Sequence, residues 1–255
     1  MSSFSKIFSA EVIKVKNTFA IFLLVLLALA IPLFVSMEYL KNADKVIIHN
    51  SNPWSKGWKR TIIGIAIFAG PCVIIMLNAL LMNIEHKTNS WKNLFTLPVS
   101  PGIIYLSKLC VSLLILTLFF LFSIFFFFIC AAIIGVIIPN SGFFQYSPDI
   151  IAMFSIAFRT FISLATVFAI HFWLSFRLKN MFIGMAVGLM LMFFAMMTYP
   201  QMETVLFFPY NYGELTVFKY YSYHHIFAIH EILSLALFAM ISCGSYWDFT
   251  RNFKG

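Results

Sequence analysis

Between Thr18 and Tyr246 the sequence divides into six apolar runs, at about residues 18–37, 61–82, 104–138, 150–176, 181–199 and 229–246. Crossing the hydrocarbon core of a bilayer takes about 20 helical residues, and a backbone without water must satisfy its own polar groups there. The runs therefore predict an all-α integral membrane protein with six transmembrane helices. The third run is longer than about 20 residues at ~1.5 Å each require, so it must tilt, kink or project beyond the bilayer.

Composition agrees: 62% of the 255 residues are hydrophobic and 10% are charged, with 32 Phe. Soluble domains carry about 25% charge. The longest polar segment, residues 38–60, is too short for a soluble catalytic domain, and no solenoid repeat or linker divides the chain. A single membrane domain over 1–255 is expected. The formal charge of +8 is read through its distribution rather than as a nucleic-acid footprint.

Residues 2–16 place Phe4, Ile7, Phe8, Val12 and Val15 on one helical face, with Lys6, Lys14 and Lys16 beside it. This predicts an interfacial helix leading into the first span. With the N-terminus inside, ten basic residues fall on the cytoplasmic side: Lys6, Lys14, Lys16, Lys87, Lys92, Lys108, Arg177, Lys179, Arg251 and Lys254. The outer side holds Lys41, Lys45, Lys56, Lys59, Arg60 and Lys219, offset by six acids. The bias predicts that both termini are cytoplasmic.

Residues 83–102 interrupt the apolar pattern between runs two and three. Trp91, Leu94 and Phe95 recur at i, i+3 and i+4, giving a short amphipathic helix that leaves Glu85, His86, Lys87 and Lys92 wet. Pro98 ends that helix by Leu97. The same segment also reads as a loop whose aromatic residues rest among headgroups. On the opposite side, residues 200–228 are rich in Phe and Tyr but broken by Pro209 and Gly213. Short helical pieces lying at the outer interface are expected there.

Chemistry-bearing residues are few. Cys72, Cys110, Cys130 and Cys243 lie in apolar runs at no metal or redox spacing and read as packing residues. His224, His225, His230 and Glu231 lack the His-Glu-x-x-His spacing of a zinc site. No metal site and no catalytic residues are expected. Arg159 lies well inside the fourth run, where a charge costs of the order of 3 kcal/mol, so it must face protein, headgroups or a wet path. Structural pairing is the plainer reading of Arg159, and contact with an anionic or polar substrate the sharper one. His171 and Asn78 are further intramembrane polar groups, more often glue between helices than ligands. Gly184 and Gly188 form a Gly-x-x-x-Gly pair that allows close helix packing. No Gly-x-x-x-x-Gly-Lys-Ser/Thr loop occurs, so any ATP-driven work needs a second polypeptide.

The interfacial helix, six spans, charged insert and broken outer segment resemble type-2 ABC exporter permeases over nearly the whole chain. The most specific part is Glu85-His86-Lys87-Thr88, Trp91-Lys92-Asn93-Leu94, Leu97-Pro98-Val99-Ser100 and Tyr105-Leu106-Ser107-Lys108. This looks like the pattern of permeases that protect bacteria against lantibiotics and related bacteriocins.

The resemblance implies that the insert is a coupling helix docking on a cytoplasmic ATPase, with Glu85, His86, Lys87, Thr88, Trp91, Lys92 and Phe95 facing the ATPase or bracing the helix. It implies a pair of permeases, identical or sister subunits, in the bacterial cytoplasmic membrane. ATP and Mg would be held by the partner ATPase, with no cofactor on this chain. The cargo would be an amphipathic peptide; the candidates for its path, taken from their place inside apolar runs and not from the resemblance, are Arg159 and His171. Export of a drug, lipid or other hydrophobic cargo is the nearest alternative, and a non-transporting sensor or scaffold the next.

Overall fold

The computed structural model describes residues 3–16, 18–41, 52–87, 91, 98–198, 208–220 and 227–251. Among them the chain is helical, with no strand. Five helices are long and apolar enough to cross a membrane, six if one bent pair counts as a span. In chain order the elements are α1 (Ser3–Lys16), α2 (Phe19–Lys41), α3 (Pro53–Lys87), α4 (Pro101–Ile137), α5 (Ile150–Ser163), α6 (Ala165–Arg177), α7 (Met181–Thr198), α8 (Tyr212–Lys219) and α9 (Ile229–Arg251).

α3 is the inner helix: 78% of its most apolar window is buried, against 22% for both α7 and α9. It starts at Pro53, eight residues before the apolar run at Thr61, because Asn52 caps it. The Asn52 side chain accepts from the Trp54 amide at 3.0 Å, and Pro53 stands in the first turn. Halfway along, Pro71 offers no amide and would crowd the carbonyl four residues earlier. A π-turn at Ile65–Ala69 absorbs the misfit, and the Gly70 amide bonds to the Ile65 carbonyl.

α4 is a single unbroken helix of 37 residues, so its excess length is met by tilt or projection rather than by a break. It packs against α1 and α2 on one side and α9 on another. Asn78 of α3 accepts from the Ser112 hydroxyl of α4 at 2.7 Å, joining two apolar helices by a hydrogen bond.

The fourth run is bent by 43° between α5 and α6 at Leu164. Backbone groups freed there are met from α9. The Ser234 hydroxyl donates to the Ile162 carbonyl at 2.8 Å and accepts from the Thr166 amide at 3.2 Å. Leu164 itself is clasped between two glycines: a Cβ at Gly70 would stand 2.7 Å from Leu164 Cδ1, and one at Gly213 3.2 Å from Cδ2.

The described part of the broken outer segment, residues 208–220, consists of a short turn at Pro209–Asn211 followed by α8. Tyr210, Asn211, Tyr212 and Gly213 are buried. A Cβ at Gly213 would also meet the Ala66 carbonyl at 2.8 Å. Bare glycine backbone lets α8 enter the bundle against the π-turn. The π-turn, the Leu164 bend and the start of α8 thus meet at one place.

Candidate functional site

The insert between α3 and α4 is approached from two helix ends. α3 runs on through Lys87, so Asn83, Glu85, His86 and Lys87 belong to the span rather than to a separate amphipathic helix. Thr88, Lys92 and Phe95 lie outside the described residues. Residues 98–100 are not helical, and α4 begins at Pro101 behind an extended Ser100.

Trp91 is 3% exposed, tucked under the bundle. Its indole N–H donates to Nδ1 of His86 at 3.1 Å. An indole nitrogen only donates, so His86 Nδ1 must be the accepting nitrogen and the proton sits on Nε2. That Nε2 lies 3.1 Å from the Ser175 carbonyl of α6, to which it donates. The Trp91 ring also meets Phe249 of α9 edge-on at 5.8 Å, and the Lys108 ammonium of α4 lies 5.5 Å from its centroid. One indole therefore touches groups of α3, α4 and α9, and through His86 it is tied to α6.

Glu85 departs from its expected wet position and is 1% exposed. It belongs to a ring of four charges. Lys14 Nζ lies 2.8 Å from Glu11 Oε1 and 2.7 Å from Glu85 Oε1, while Lys108 Nζ lies 2.8 Å from Glu11 Oε2 and 2.9 Å from Glu85 Oε1. The side chains of Lys108, Glu11 and Glu85 keep 5, 8 and 2% of their exposure. Burial alone lowers the Lys14 ammonium's pKa, but its bonds to Glu11 and Glu85 more than offset this, and the net shift is upward. His86 is half-buried, and Lys87 is the exposed member of the set.

Neighbouring ties complete this end of the bundle. Arg177 of α6 makes a two-pronged ion pair with Asp248 of α9, whose Oδ2 also accepts from the Trp173 indole at 2.9 Å. The Tyr105 hydroxyl of α4 is bonded to Ser245 of α9 and donates to the Ser242 carbonyl at 3.1 Å.

Arg159 and His171 are both buried, and both have protein partners. Arg159 Nε lies 2.9 Å from Glu231 Oε1 of α9, and its guanidinium stands 5.2 Å from the Tyr220 ring centroid. Glu231 further accepts from the Ala228 amide at 2.9 Å and the Thr216 hydroxyl at 3.2 Å. His171 Nε2 lies 2.6 Å from the Tyr210 hydroxyl, tying α6 to the segment before α8. The structure thus puts the two residues in separate contacts, each pairing a span with the 208–231 region. The partnership of Arg159 with Glu231 joins residues 72 positions apart, and opposite charge within apolar runs was the signal available for it.

An apolar groove of about 190 Å³ lies between α4 and α5, walled by Phe120, Leu121, Ile124, Phe154 and Phe158 with Thr117 at its edge. It fits hydrocarbon and has little with which to sort polar ligands. All four cysteines are free. Among the described residues, no group of three or more His, Cys, Asp or Glu side chains is placed to hold a metal ion.

No curated protein and no solved structure matches the chain. A family model described as ABC-2 family transporter protein matches residues 7–195, from the first turns of α1 nearly to the end of α7. The chain is a multi-pass membrane component of an ABC transporter, works with an ABC ATPase subunit that is not itself part of this component, and belongs to the ABC-2 family of transporter proteins.

Proposed function

We propose that the chain is the permease subunit of a bacterial exporter that expels an amphipathic peptide of the lantibiotic or bacteriocin class from the cytoplasmic membrane. Residues 1–255 act as one permease domain, with both termini and the insert facing the cytoplasm. Two such subunits, identical or sister chains, pair with two copies of the ATPase, which hold ATP and Mg. Residues 83–102 receive the motion of the ATPase. Within them Lys87, Thr88, Lys92 and Phe95 face the partner, and Glu85, His86 and Trp91 brace the segment from behind.

The observation that carries this reading is the seat of Trp91. A loop merely resting in headgroups has no need to bury an indole against three helices and hydrogen-bond it to the end of a span. A segment that passes force does, because force is passed only through a joint that does not slip. The peptide cargo is supported by the sequence pattern from Glu85 to Lys108 and suits a chain with an apolar groove between α4 and α5. ATP drives such a cycle only by favouring one arrangement of the spans over another.

Two measurements test the proposal. Purification in mild detergent from the native host is expected to recover an ATPase with the wild-type chain. Deleting the gene is expected to sensitise cells to a lantibiotic panel and leave drug tolerance unchanged. Sensitivity confined to drugs would replace the peptide by another hydrophobic cargo. Absence of an ATPase from the wild-type preparation would overturn the motor-driven reading.

A further inference from the structure

The ring Lys14–Glu11–Lys108–Glu85 is closed, its signs alternate, and it carries no net charge. Its four members come from three elements. Glu85 stands at the foot where the chain leaves α3 for the insert, Lys108 near the foot where it returns in α4, and Glu11 and Lys14 on α1, which precedes the first span. The ring ties both feet of the insert to each other and to α1.

Three of the four side chains are nearly out of water, so any slip between the elements strands a charge in a place where it cannot be solvated. Coupling between the members also resists partial opening, since each carboxylate serves both ammonium groups. Lys108 is the hub, reaching Glu11, Glu85 and the face of Trp91.

We infer that α1 and the two feet of the insert form one rigid lever, locked by the charge ring, and that Lys108 is its positioning residue. The inference rests on the transporter reading, in which the ATPase moves the insert. Force arriving at the insert then turns α1 together with the ends of α3 and α4, and reaches the outer half of the bundle through the helices themselves.

Alternation gives the lever a signature that a simple salt bridge lacks. Exchanging only one pair, Glu85→Lys with Lys108→Glu, sets two cations against each other at position 14 and two anions at position 11. Reversing all four charges restores the pattern. The pair exchange is therefore expected to fail and the fourfold reversal to work, whereas an isolated bridge between positions 85 and 108 predicts recovery from the pair exchange alone.

The test uses the purified permease–ATPase complex, with Cys110 and Cys243 replaced by alanine. Spin labels go at exposed Ala10 and Ser100 in one sample, and at Ser100 and Lys179 in another. Wild type is expected to show the same Ala10–Ser100 separation in nucleotide-free and vanadate-trapped complexes, while the Ser100–Lys179 separation shifts. The Glu11→Gln, Lys108→Met variant keeps the Lys14–Glu85 pair and net neutrality. It is expected to let the Ala10–Ser100 separation change with nucleotide, and the fourfold reversal to fix it again.

An Ala10–Ser100 separation that shifts in wild type overturns the lever. So does one that stays fixed in the Glu11→Gln, Lys108→Met variant, or a Ser100–Lys179 separation that never responds to nucleotide. Failure of the underlying transporter reading is seen earlier and separately, as a wild-type preparation that contains no ATPase to trap.

Discussion

The indole N–H of Trp91 donates to Nδ1 of His86, which fixes the proton on Nε2 and aims it at the Ser175 carbonyl of α6. A residue of the insert and the end of one span thereby select the hydrogen bond made to another. Trp91→Phe keeps the ring but deprives His86 of its donor, at a cost of about 1 kcal/mol. Trp91→Ala also empties a buried aromatic site, for which about 3–5 kcal/mol is typical. Thermal unfolding in detergent is expected to rank them in that order, and the ATPase recovered per permease to fall further in the alanine variant.

For Arg159 and Glu231 the expectation is asymmetric. Removing one member leaves a buried charge without its counterion, so Arg159→Met or Glu231→Gln alone should cost about 3–5 kcal/mol. The two together should cost much less. If the double variant also retains export, measured as growth protection, the pair holds the fold and does not contact cargo. Lost export in a double variant of wild-type stability would place it on the substrate path.

Tyr210→Phe removes the hydroxyl 2.6 Å from His171 Nε2 and leaves that buried nitrogen unsatisfied. A loss of about 1–3 kcal/mol is expected. Replacing both, as Tyr210→Phe with His171→Phe, should recover part of it. Unfolding midpoints of the two variants against wild type check the order.

Close approach, rather than glycine as such, decides which glycines tolerate a methyl group. Among the described residues, a Cβ at Gly188 would stand 2.5 Å from His171 Cε1 and 2.8 Å from Ile75, whereas at Gly184 it meets only Leu178 at 3.6 Å, and at Gly244 nothing within 4 Å. Gly188→Ala and Gly213→Ala should therefore cost about 1–3 kcal/mol through overpacking. Gly184→Ala and Gly244→Ala should leave the isolated subunit's unfolding unchanged. Loss of the permease pair on Gly184→Ala, with subunit stability intact, would assign that face to the second copy.

Helix positions were legible in the sequence because twenty apolar residues in a row admit few other structures. Where the helices break was not. Pro71 marks the π-turn, whereas the bend at Leu164 is marked locally only by hydroxyl residues, Ser163 donating to the Thr160 carbonyl at 2.8 Å. The backbone groups around it are met by Ser234 on another helix. The same limit applies to the charge ring: helical spacing places Glu11 and Lys14 near each other, yet only packing brings Glu85 and Lys108 to them. Spacing did single out Trp91 as belonging to an apolar face. It misjudged Glu85 because a carboxylate at a span end is ordinarily wet, and the buried ammonium of Lys108 with the half-buried one of Lys14 reverses that preference.

Ser234 also sets an order of assembly. Its hydroxyl meets backbone groups of a bend made some 68 residues earlier. Helices enter a membrane in the order of synthesis, so α5 and α6 arrive before any partner for those groups exists, and each unsatisfied group in hydrocarbon costs several kcal/mol. The bent form of this span gains these partners only after α9 has entered. Until then a straighter helix or water must serve the same groups, and a chain cut short before Ser234 is expected to hold the bend less firmly.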